Sequence, residues 1–277
     1  MKIAKQKTIS MLLRIPVFIA IALTLLVLVF LIGTIVVKGI ANFKPSLFSS
    51  KYNSENVSLL PSLFNTIYIT VLSLLIAVPV GIGGAIYLTE YAKRGNKIVK
   101  VIKLTAETLS GIPSIVYGLF GMLFFVTTLK MGLSLVAGAC TLSIMILPLI
   151  MRTTEEALVS VPDTYREGSF GLGAGKLRTI IQIVLPAAMR GILSGIILSV
   201  GRIVGETAAL IYTAGTVPEL PKSFLSSART LSVHMYVLSG EGQHIGESYT
   251  TALVLLILVI GINSLSSFIA KKLSKQN

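Results

Sequence analysis

Six apolar runs, each about the length a helix needs to cross a bilayer, punctuate the chain. A transmembrane helix takes roughly 20 mostly apolar residues. The runs cover Ile15–Val37, Leu63–Leu88, Ile112–Thr128, Gly132–Met151, Ala187–Tyr212 and Ala252–Ile269. The second holds Pro79, Gly81, Gly83 and Gly84, residues that membrane helices tolerate because neighbouring helices satisfy the freed backbone groups. Between the runs lie polar connections at residues 39–60, 152–186 and 213–247, the last with room for a short amphipathic helix. Lys97–Glu107 reads as an interfacial helix leading into the third span. The first run is too long for a signal-peptide core and is expected to stay as a span. The pattern predicts an all-α integral membrane protein.

Composition agrees. Hydrophobic residues make up 53% of 277 and charged ones 13%, against about 25% charged in soluble domains. The net charge of +13 would suggest a nucleic-acid partner in a soluble protein, but its distribution gives another reason. With the N-terminus inside, 17 Lys and Arg fall on the cytoplasmic side, at residues 2–14, 93–103, 152–190 and 271–275. Six fall outside, at Lys38, Lys44, Lys51, Lys130, Lys222 and Arg229. Positive charge prefers the cytoplasmic flank, so both termini are expected there. Cys140 is the single cysteine, which excludes an internal disulfide and a cysteine metal site. His234 and His244 fall in the external segment and read as solvated; Glu90, at the end of the second span, reads the same way. No cofactor or metal is expected, and no dyad or triad supports an enzyme.

Two places carry chemistry. Arg202 and Glu206 sit within the fifth run, where a charge costs roughly 2.5–3.5 kcal/mol on insertion scales. Four residues apart on a helix, they would share a face and could pair. They would then either hold the bundle together or line a path for an anion, which an Arg meets with paired donors. Gly191 and Gly195, and Gly201 and Gly205, form small-residue faces suited to close helix contact. Ser110 and Ser114, beside Gly111 and Pro113, open the third span at a natural break and could also line a path.

The second place is the loop at 152–186. Asp163 after Pro162 is a candidate helix cap, with Glu167 in the opening turns and glycines 171–175 as a stop. A further helix over Leu177–Val184 leads to Pro186, giving a helix–turn–helix knob. Gly171–Lys176 superficially matches a phosphate-cradling loop, but Phe170 and Leu177 stand where that motif needs Gly and Ser or Thr. No ATP site is expected here.

Glu167, Gly173, Ile183, Leu185 and Pro186 resemble the cytoplasmic signature of ABC importer permeases, with Gly168 and Ser169 in place of its usual alanines. Gly111–Gly118 and Arg202–Ala208 resemble the phosphate importer permeases of the PstA type, and the likeness extends over about Leu60–Ile269. That resemblance implies six transmembrane helices in the type I ABC importer transmembrane-domain fold, with three parts. Residues 1–60 hold the N-terminus, first helix and external loop, 61–270 the transmembrane domain with its coupling loop, and 271–277 a tail. It implies that Asp163, Glu167, Gly173, Ile183, Leu185 and Pro186 serve coupling to an ATPase. It also implies a second, related permease subunit, two cytoplasmic ATPase subunits, an extracytoplasmic phosphate-binding protein and inorganic phosphate as cargo. The competing expectations are an importer of another anion or small solute, and a carrier or channel that works without an ATPase.

Overall fold

The structure, a computed structural model, describes residues 2–93 and 95–274. Arg94 and Lys275 of the basic flank lie outside the described residues, as do the side chains of residues 2–13, 266 and 269–274. Among the described residues every regular element is helical. α1 spans Lys2–Ala41 and is followed by a 3₁₀ turn at Pro45–Phe48. α2 runs over Leu60–Ile86 and continues as a π-helical turn, Tyr87–Tyr91. α3 is Lys97–Ser110; α4 is Ser114–Gly121, extended by a π turn at Met122–Thr128. α5 spans Leu135–Val159, α6 Asp163–Gly171 and α7 Lys176–Thr179. A π turn, Ile180–Val184, carries α7 directly into α8, Leu185–Val204. α9 is Ala208–Thr213, α10 Leu231–Glu241 and α11 Ile245–Ser274.

Five of these helical stretches are long and apolar enough to cross a membrane: Arg14–Ala41, Leu60–Tyr91, Leu135–Val159, Lys176–Val204 and Ile245–Leu265. A sixth span forms if α3 and α4 are counted as one helix bent by 104°. The bend falls at Gly111–Pro113, where the ring of Pro113 removes a backbone donor and ends the helix before it. The Tyr117 hydroxyl then donates to the Leu109 carbonyl at 2.7 Å and pins the corner.

The fifth span departs from its expected bounds. It starts at Lys176 rather than Ala187, because the second helix of the knob and the span are one continuous helix. It also stops at Val204 rather than Tyr212. The Glu206 carboxylate accepts from the Ala209 N–H at 3.1 Å and so restarts the chain as α9.

α5 is the axis of the molecule. α2 packs on one side of it and α8 on the other, while α11 lies on α8. Ile69, Leu142, Ile146, Ile150, Ile203 and Leu210 fill the central core. Hydroxyls stitch α2 to α5 inside it: Ser143 donates to the Ser73 carbonyl at 3.1 Å, and Ser73 to the Ala139 carbonyl at 3.3 Å. Gly118 of α4 meets α9 so closely that a Cβ there would lie 2.8 Å from Ala209 Cα. Gly191 likewise packs on Ala157 of α5, whereas Gly201 faces open space. α1 is exposed over residues 14–32 and packs on α11 near Gly39, whose Cβ position is 2.8 Å from Leu253 Cβ.

Each end of the bundle has its own small core. At one end Leu47, Val57 and Leu59 cluster with Leu231 and Leu238 of α10. At the other, Ala85, Leu158, Val161, Val184, Ala188 and Ile192 tie the ends of α2 and α5 to the start of α8.

Candidate functional site

The knob is α6, a turn and α7. Asp163 is the first helical residue and not the cap; Pro162 holds the cap position and no side chain caps the helix. Asp163 instead accepts from the Arg166 guanidinium at 3.2 Å. Proline cannot cap with a side chain, but its fixed φ sets up the first turn. α6 ends in a Schellman arrangement: the Gly173 N–H bonds to the Phe170 carbonyl at 2.9 Å, and the Ala174 N–H to Ser169 at 3.1 Å. Gly173 has φ +81°, a conformation in which a Cβ would be strained. The hydroxyls of Ser169 and Thr179 meet at 2.8 Å and close the hairpin.

Glu167 is exposed on the knob, Ile183 sits in the π turn, and Leu185 and Pro186 open α8, with Leu185 against the core at that end. Around them a row of large apolar side chains faces outward: Tyr165, Phe170, Leu172, Leu177 and Ile181. Leu172, at the tip, is 91% exposed.

Arg202 and Glu206 do not pair. α8 ends between them, and no ion pair joins them among the described residues. The helix stops because Gly205 and the Glu206 cap end it, so the i, i+4 geometry is lost. Glu206 is buried, spends its carboxylate on α9, and takes the Ser232 hydroxyl on its carbonyl at 2.6 Å.

Arg202 instead borders two cavities. One, of about 640 Å³, is almost wholly apolar and includes Leu149, Ile197, Leu198 and Gly201. The other, of about 630 Å³, brings Arg202 together with Ser110 across the α3–α4 corner. Lys103 and Glu107 of α3, with Arg152, Glu155 and Glu156 of α5, line it too. Lys103 pairs with Glu155, and Arg152 with Glu156 at 3.0 Å, so two of its three cations are neutralised locally. Arg202 is the third, and has no ion pair among the described residues. Ser114, the other path candidate, does not line this cavity and lies partly buried at the start of α4. Nothing in the local sequence indicates that α5 would supply most of the lining.

Two other expectations are overturned. Glu90 is partly buried and bonded to Arg166, 76 residues away in sequence. His234 is fully buried in the core at the opposite end. Its Nδ1 faces an Arg229 nitrogen at 3.3 Å and its Nε2 the Val57 carbonyl at 3.2 Å. Arginine can only donate, so Nδ1 accepts and the proton sits on Nε2. His244, by contrast, is partly exposed beside Glu247.

Relatives share this architecture and much of this sequence. A probable ABC transporter permease protein of Bacillus subtilis, YqgI, is 33% identical over 270 residues, which span 90% of this chain and 92% of the relative. The phosphate transport system permease protein PstA 1 of Mycobacterium tuberculosis is 36% identical over 211 residues, 75% of this chain and 69% of its own. Among solved structures, a chain of a bacterial ABC transporter that imports the acidic polysaccharide alginate aligns with a TM-score of 0.69 at 14% identity, covering 92% of this chain and 95% of its own. A chain of the inward-facing MetNI methionine ABC transporter aligns at 0.60 and 19% identity, over 78% and 94%. These likenesses fit the six-span, knob-bearing bundle described above and the type I ABC importer transmembrane-domain fold. Residues 77–276 match the family of binding-protein-dependent transport system inner membrane components, and the chain is a multi-pass membrane permease subunit of that family.

Proposed function

We propose that this permease subunit serves an ATP-driven importer of inorganic phosphate, with Arg202 and Ser110 on the path of the anion. The observation that carries the reading is Arg202 itself: a guanidinium within the bundle, at a cavity, with no ion pair among the described residues. An arginine meets phosphate oxygens with paired, charge-assisted bonds, and a bundle keeps such a charge where it has an anion to meet. The PstA-type relatives favour phosphate over other anions. The outward apolar row on the knob suits a groove on an ATPase subunit, which would supply the hydrolysis. A related permease, a pair of ATPase subunits and an extracytoplasmic phosphate-binding protein complete the proposed assembly, with the knob and both termini on the cytoplasmic side.

Import of a different small solute is the second reading. The cavity that Arg202 shares with Ser110 balances three cations with three carboxylates, a lining that does not by itself select an anion. Uptake of labelled phosphate into vesicles holding the full complex separates the two. The expected outcome is ATP-dependent uptake that drops at least tenfold in Arg202→Gln, on the scale of a lost charge-assisted bond. Normal uptake in the variant would make Arg202 structural, and absent uptake in the wild type would remove phosphate as the cargo.

A further inference from the structure

The knob is not joined to the bundle by its chain connections alone. Arg166, on the inward side of α6, reaches the ends of two other helices and the start of its own at once. Its Nε and Nη2 donate to Glu90 Oε1 at 3.1 and 2.7 Å, at the π-helical end of α2. Nη2 also donates to the Leu158 carbonyl at 3.0 Å, and Nη1 to the Val161 carbonyl at 2.8 Å, both at the end of α5. Nη1 finally reaches Asp163 at the start of α6. A guanidinium has five N–H donors in a fixed fork, and here all five are used. The two side chains are well shielded, 15% exposed for Arg166 and 9% for Glu90.

A second contact reinforces the first. Lys176, the first residue of α7, places its ammonium 5.0 Å from the centre of the Tyr91 ring. Tyr91 is the last residue of the same π turn that presents Glu90. Both halves of the knob therefore grip one turn of α2. The extra residue of a π turn rotates side chains out of α-helical register, and such turns concentrate at functional positions. Here the turn coincides with the carboxylate that Arg166 holds. The grip also reaches the cavity shared by Arg202 and Ser110: α5, whose terminal Leu158 carbonyl Arg166 holds, supplies Arg152, Glu155, Glu156 and Val159 to the lining.

From this we infer that Arg166 and Glu90 are positioning residues that make α6 and the ends of α2 and α5 one moving body, so that displacement of the knob is delivered to the wall of the cavity. The inference rests on the knob being the ATPase contact. A buried ion pair is a weak source of net stability but a costly one to break, because the partner left behind is a desolvated charge. That asymmetry suits a link required to hold through a cycle.

The test uses the whole complex in vesicles, measuring ATP hydrolysis and phosphate uptake side by side for wild type and Glu90→Gln, which keeps shape and removes charge. The expected result is retained hydrolysis with uptake per ATP lowered roughly tenfold, the scale of a coupling between two sites. If Glu90→Gln fails to assemble, Arg166→Lys is used, since a point charge cannot fill the fork. A second readout needs no cargo: spin labels at Thr164 and Tyr87, in a Cys140→Ser background, report the distance from α6 to α2 without nucleotide and with ATP and vanadate. The wild-type distance is expected to be the same in both states, and to change in Glu90→Gln. A wild-type distance that changes would overturn the inference. So would an unaltered ratio of uptake to hydrolysis in the variant, whether both rates are normal or both fall together. Absent phosphate uptake in the wild type would sink only the choice of cargo, because the distances are read without cargo.

Discussion

At the scale of single residues, His234 gives a pH dependence with a definite sign. Burial, and next the positive charge of Arg229, push its imidazolium down to a pKa of about 4. An unfolded chain would hold that proton up to about pH 6.5. Between these values the unfolded state binds more protons than the folded one, so stability falls as pH falls. The contribution is complete above about pH 6.5 and lost towards pH 4, in total about 3 kcal/mol. Melting of the purified protein from pH 7 to pH 4.5 should show a steeper loss for wild type than for His234→Gln. Equal slopes would mean the imidazole is not held below its ordinary pKa in the folded protein. Arg229 itself donates to the Thr216 carbonyl at 2.6 Å and stands over the Tyr52 ring, so a cation read from sequence as a loop charge is part of a core. Histidine and arginine in a polar stretch look solvated because composition shows only the neighbours in sequence. Val57, which accepts from His234, is 177 residues away.

At the scale of elements, the contact between α4 and α9 is the tightest test of the broken helices. A side chain at Gly118 would have to displace Ala209 backbone, not a flexible side chain. Gly118→Val should therefore cost about 1–3 kcal/mol through overpacking and shift α9, whereas Gly201→Ala, which meets nothing, should be nearly silent. Thermal melting of the two variants checks this, and equal effects would rule the close approach out as the cause. The elements themselves were largely legible. Long apolar runs announce spans because lipid permits little else, and the stop after α6 was marked by glycine at the position whose φ is positive. Ends were less legible where glycine is ambiguous. Membrane helices carry it freely, so Gly205 within an unbroken apolar run gave no sign of a stop, and the pairing of Arg202 with Glu206 was inferred from a helix that ends between them. The start of the fifth span was misplaced for the opposite reason: Pro186 looks like a boundary, yet proline in the first turn of a helical segment is compatible with continuation from a π turn. The partners of Arg202 at the cavity come from α3 and α5, and no local pattern carries a contact made by three helices.

At the scale of the whole molecule, the axial helix α5 is held on both sides while the first helix is held on one. α1 shows its apolar surface outward over residues 14–32 and meets α11 at a glycine. The matched family region begins only at residue 77, after α1 and the loop that follows it. A segment so placed behaves less like a wall of the molecule than like a separate peptide that happens to share its gene. Residues 1–44 and 45–277 made as two polypeptides in one cell should find each other in the bilayer and copurify. Gly39→Leu, which fills the α1–α11 contact, should abolish that copurification and leave the larger fragment folded. Covalent continuity at this joint would then be a matter of delivery during synthesis, and the first helix could be exchanged for that of a relative as a cassette.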